Sequence, residues 1–166
     1  ENNLLFWGSW FCEGLLQRCK NHIQVFLTDE EVLLINEIIS YLWNLVDEKE
    51  QMDMSKINSL YERLNDIDET DLDATDYQQE EIYELIVSLD DILRYCQSGL
   101  RGFEDNISQS IINVIDIMLQ DEDKDILSKE GFQDDLVQNE VKAQFEMISL
   151  LKEKKLTSEF KHWLRK

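Results

Sequence analysis

The sequence predicts an all-α fold, a single-domain bundle of about six to eight helices spanning residues 1–166, and three observations carry that prediction. No proline occurs in 166 residues, where average usage near 5% would give roughly eight. Glycines are confined to positions 8, 14, 99, 102 and 131, so breaks are few. Apolar residues return every three or four positions in segment after segment, which is the helical period. A chain of this length closes one substantial core, burying roughly 70% of the surface its unfolded form exposes. With 43% hydrophobic residues, it is too apolar for disorder despite its charge.

The elements follow in order. A first helix is expected over 3–20, with Leu4, Leu5, Trp7, Phe11, Leu15 and Cys19 among its apolar positions. Its bulky aromatics read as core, and Gly8 and Gly14 as places where another helix can approach closely. The segment IQVFL then leads into Thr28, whose spacing to Glu31 is that of a capping box, with Leu27 and Val32 placed as a staple. The helix it starts runs to about residue 47. Ser55 is the expected cap of a third, shorter helix with the stripe Ile57, Leu60, Tyr61, Leu64 and Ile67. An acidic connector, residues 68–76, precedes a central helix capped by Thr75 or Asp76 and ending at Ser98-Gly99, where glycine suits the position after a helix. Further helices are predicted over 104–120 and 133–154, with a short helical piece near Leu127, and a last one starts at Thr157.

Charge is the second strong feature. Thirty-six acids against 16 bases give a formal net charge of -20. Between Arg63 and Arg94 there are eleven acids and no Lys or Arg. Such a field repels nucleic acid and anionic lipid and draws in basic proteins, raising their association rate by roughly 10- to 1,000-fold at low salt. The expected partner is therefore a basic protein, with no nucleic acid and no membrane. The plainer reading of each acid taken singly is a solvated helix face. Near the C-terminus the sign reverses, with Lys152, Lys154, Lys155, Lys161, Arg165 and Lys166 set against Glu153 and Glu159, and this tail is suited to folding back on the acidic body.

No catalytic residue, metal site or cofactor is read from the chain. Cys12, Cys19 and Cys96 are odd in number and form no C-x-x-C pair, so they read as core residues of a cytosolic protein. The apolar run 4–16 is too short to cross a membrane and contains Glu13; no basic segment precedes it as in a secretory signal. Cytoplasmic localisation is expected. Glu159 and His162 make one Glu-x-x-His, where a di-metal bundle needs two such pairs and further glutamates. Asp121, Asp123 and Asp125 imitate the start of a calcium loop, but Ile126 stands where glycine is needed and Phe132 where glutamate is needed. Cys19 and His22 are three apart, but no orienting third group or oxyanion motif accompanies them. Phosphate-cradling and nucleophile-elbow motifs are absent. The chain reads as a binding protein and not an enzyme.

With the helices placed, FWGSWFCEGLLQRC leading to QVF, the IISYLWNL helix, LYERLNDID followed by DATDY, EEIYELIVSLDDILRYCQSG and NEVKAQFEMISLLKE resemble, over about residues 4–156, the YjaG-like family of small helical bacterial proteins. The resemblance implies an all-helical bundle and brings no catalytic residues. The acidic, single-domain profile is also similar to that of bacterial immunity proteins that neutralise secreted nuclease toxins. The expectation is an immunity (antitoxin-like) protein of a contact-dependent or polymorphic toxin system, occluding a basic toxin through Asp68, Glu69, Asp71, Asp73, Asp76, Glu80, Glu81 and Glu84, with Tyr77 and Tyr83 as aromatic anchors. The alternative is a YjaG-like housekeeping interaction module without a toxin partner.

Overall fold

A computed structural model describes residues 2–73, 75–99, 102–120, 122, 124–153 and 157. Among these residues the fold is all-helical, with eight α-helices and one 3-10 turn. Helix α1, Asn2–Cys19, buries Phe6, Phe11, Cys12, Leu15 and Cys19. Phe6 meets Trp43 of the third helix edge-on at 5.4 Å between ring centroids. A β-carbon at Gly8 would run into the Ile92 side chain and press on Phe103, so glycine is what lets α1 close on the central helix. A β-carbon at Gly14 would meet nothing within 4 Å, and the close approach expected there does not occur.

The IQVFL segment forms one helical turn, α2 (Ile23–Phe26), which the sequence reading did not anticipate. Leu27 then extends the backbone, and α3 (Asp29–Val46) starts with the expected capping box. Thr28 N–H donates to the Glu31 carboxylate at 2.7 Å, and Glu31 N–H donates to Thr28 Oγ1 at 3.3 Å. Helix α4, Met54–Asn65, is capped by Asp53 and not by Ser55. The Asp53 carboxylate accepts from the N–H groups of Ser55 and Lys56. Asp53 is itself fixed, since its N–H donates to the hydroxyl of buried Tyr41 at 3.1 Å.

Helix α5, Tyr77–Ser98, is capped by Asp76 and closed by Gly99 in the left-handed conformation (φ 67°). It is the hub, packing against α1, α4 and α6 (Phe103–Gln120). The run from α5 to α6 is antiparallel, with Tyr95 on Phe103 at 4.8 Å between ring centroids and Ser88 bonded to Ser110 at 3.1 Å. The helix expected over 133–154 is α8 (Asp135–Glu153), laid on α6, and the short helical piece expected near Leu127 is a single turn slightly later, α7 (Lys129–Phe132). Ser128 caps α7, and the Asp134 carboxylate caps the start of α8 through Leu136 N–H. Gly131 lies against the Asp125 carbonyl with no room for a side chain. The helix predicted from Thr157, its Glu159–His162 pair and the basic tail lie outside the described residues apart from Lys152 and Glu153, which end α8, and Thr157, as do Asp121 and Asp123 of the calcium-like loop.

Candidate functional site

The acidic connector is a shaped segment. It is pinned by Ile67, which is buried, and by Leu72, which packs on the core. Between these anchors the aspartates build their own turns. Asp68 Oδ1 accepts from Thr70 N–H at 3.1 Å and from its hydroxyl at 2.6 Å. Glu69–Asp71 forms the 3-10 turn. Asp73 Oδ1 accepts from Thr75 N–H at 2.9 Å and from its hydroxyl at 2.7 Å, while Asp73 N–H donates to the Gln79 side chain at 2.9 Å. Asp76 accepts from Gln78 and Gln79 N–H at 2.9 and 3.1 Å, capping α5. These are the local side-chain bonds that make aspartate and threonine good at turns. They also hold the Asp68 and Asp73 carboxyls below the usual aspartate range, the Thr70 and Thr75 hydroxyls being the main cause. Both remain ionised.

The ten predicted partner-binding residues divide. Asp68, Asp71 and Asp73 are exposed, Glu69, Asp76 and Tyr77 half-buried, and Tyr83 is 36% exposed. Glu80, Glu81 and Glu84 are only 7%, 5% and 5% exposed, so the expectation of one acidic face running from the connector along α5 is corrected. The cause is the place of α5 at the hub. Neighbours cover more than its apolar stripe, and acids read as a solvated face fall inside an interface.

Each buried acid has a different answer to its burial. Glu81 is paired across to the end of α1, with Arg18 Nε at 3.2 Å and His22 Nε2 in contact at 3.1 Å. Glu84 accepts from the Asn113 side chain of α6. Glu80 lies one turn from Glu84, and its Oε2 is closed to solvent without a hydrogen bond among the described residues. Burial, and then the adjacent Glu84 carboxylate, raise Glu80 to about 7. Tyr83 is raised as well, first by burial and then by Glu69, Glu84 and Glu80.

The fold adds acids that sequence reasoning missed. Glu30 and Glu31 at the start of α3 line a groove of about 280 Å³ together with Asp66, above Leu34 and Ile67. The capping box located Glu31 on its helix, but nothing local to the chain reports that this helix end meets the connector. The cations that bracket the acidic run are committed nearby, Arg63 to Glu37 at 2.9 Å and Arg94 to Asp90 at 2.7 Å.

Nucleophilic chemistry at Cys19 is disfavoured. Its thiol is fully buried and donates to the Leu16 carbonyl at 3.6 Å. Burial and the Glu81 charge push it up to about 12, and the thiolate is the reactive form. Among the described residues no three His, Cys, Asp or Glu side chains are arranged to hold a metal ion, and no helix is long and apolar enough to cross a membrane. No protein-family model, curated protein or solved structure matches the chain.

Proposed function

We propose that this protein is an immunity-type inhibitor that binds a basic protein, a nuclease toxin domain of a bacterial polymorphic or contact-dependent system, through the connector between α4 and α5. The observation that carries this reading is the exposed set Asp68, Asp71 and Asp73, held on an ordered turn within a run that contains no Lys or Arg from residue 64 to residue 93. A nuclease presents cations where it holds phosphates, so an array of fixed carboxylates complements the same surface. Pre-ordering matters here. The Asp68–Thr70 and Asp73–Thr75 turns fix the carboxylates before any encounter, which lowers the ordering cost of association. Tyr77 and Tyr83 sit beside the connector with partly exposed rings and serve as anchors at its edge.

The test is protection in vivo. A basic toxin domain encoded beside this chain is expressed alone, with the wild-type protein, and with the variant carrying Asp68→Asn, Asp71→Asn and Asp73→Asn. Asparagine keeps the turn-forming oxygen and deletes the charge. Growth restored by the wild type and lost with the triple variant at equal protein level is the expected result. Equal protection by both removes the connector from the interface.

A further inference from the structure

The groove of about 280 Å³ between the start of α3 and the junction of α4 with the connector has an apolar floor, the buried side chains of Leu34 and Ile67. Its polar lining divides into groups already committed and groups left over. The Thr28 hydroxyl and one oxygen of the Glu31 carboxylate are committed to each other in the capping box. Arg63 Nη1 is held at 2.9 Å by Glu37, which is not part of the lining. Glu30 and Asp66 remain. Both are exposed, and among the described residues neither carboxylate makes a hydrogen bond or an ion pair.

We propose that this groove receives an arginine or lysine side chain of the basic partner, as a second point of attachment beside Asp68. This contact presupposes the basic partner proposed for the connector. Three carboxylates and one guanidinium line the groove, and the two uncommitted groups are both anionic acceptors, so a cation with N–H donors is favoured over an anion. Its alkyl stem packs on Leu34 and Ile67. A bare metal ion does not fit, because among the described residues no three acidic, His or Cys side chains are arranged to hold one. Leu33, one turn from Glu30 along the same face of α3, is 69% exposed. A small free cation would leave it uncovered, whereas a protein surface covers an apolar centre and a polar rim together. Asp66 and Asp68 flank the buried Ile67, so a partner seated on the connector has the groove within reach.

The experiment compares the full wild-type chain with a groove variant, Glu30→Gln with Asp66→Asn, and a control, Glu130→Gln with Asp135→Asn, which removes the same charge from exposed positions on α7 and α8. Glu31 stays, so the capping box still starts α3. Each form is titrated by NMR at about 0.15 M salt, where diffuse attraction is partly screened, with a blocked glycine-arginine-glycine peptide and with its citrulline analogue, which keeps the shape and lacks the charge. Saturable shifts at the Leu34 and Ile67 methyl signals are expected with the arginine peptide alone, weakened about tenfold in the groove variant and about twofold or less in the control. The same order is expected for affinity to the toxin domain. The proposal is overturned if the shifts are absent, if the citrulline peptide gives them equally, or if groove variant and control behave alike. The peptide needs no toxin and the connector's protection assay needs no groove, so failure of either contact is read separately from failure of the other.

Discussion

Glu80 carries a carboxyl group into a site that excludes water, beside a second carboxylate. Its folded value near 7 lies above the ordinary 4.5. Between those two values the folded state binds more protons than the unfolded state, so stability falls as pH rises from about 4.5 to about 7 and is level beyond. Glu80→Gln keeps the shape of the protonated acid and removes that loss. The variant is expected to be about 1–2 kcal/mol more stable than wild type at pH 8 and equal to it near pH 4.5, as measured by urea unfolding. A gain of the same size at both pH values would show that charge is not the cause. Glu81 behaves oppositely. Glu81→Ala leaves Arg18 and His22 facing an interior without their carboxylate, and a loss of about 1–3 kcal/mol is expected at neutral pH, reduced from the cost at a fully buried pair because Arg18 is partly solvated. None of these environments is written in the residues adjacent to Glu80, Glu81 and Glu84. A run of acids on a helix states the charge, and the helices around it state the solvent.

Several helix ends were legible where adjacent residues supply the missing backbone partner or the turn conformation. Thr28 with Glu31, Asp76 and Gly99 are cases in which a few adjacent residues contain the whole interaction. Asp53 displaced Ser55 as a cap because Tyr41, twelve residues away, holds the Asp53 backbone, and a partner at that distance is invisible to a local pattern. The exact place of α7, slightly past the position expected near Leu127, follows the same logic, since the contact of Gly131 with the Asp125 carbonyl depends on how the chain folds back. Two substitutions test the elements directly. Glu48 follows α3 with φ 59°, a left-handed conformation that disfavours a side chain. Glu48→Gly is expected to stabilise by about 0.5–1 kcal/mol, and a fall in stability in the unfolding curve would contradict that assignment. Gly8→Val places branches where Ile92 and Phe103 already sit. A cost of about 1–3 kcal/mol is expected in the same assay, whereas Gly14→Ala, with open space around it, should be neutral or mildly stabilising through helix propensity.

At the scale of the whole molecule, the all-helical core is as expected, while the exposed acids lie elsewhere than the sequence suggested. The apolar stripes of α3, α4 and α6 mark their buried faces directly, which is why the fold class could be read. The hub position of α5 could not, and it moves the exposed acidic face off that helix onto the connector and the start of α3. The account therefore makes the connector, with Asp68, Asp71 and Asp73, the determinant of partner choice. Affinity capture from native lysate at about 0.15 and 0.5 M salt tests this most directly, with wild type and the triple asparagine variant run in parallel, because exposed charge pairs are strongly screened at the higher salt whereas a packed interface survives. The account predicts a single basic protein retained by the wild type at both salt concentrations and lost by the variant. A shifting set of cationic proteins that vanishes at high salt, or equal retention by the variant, would contradict it.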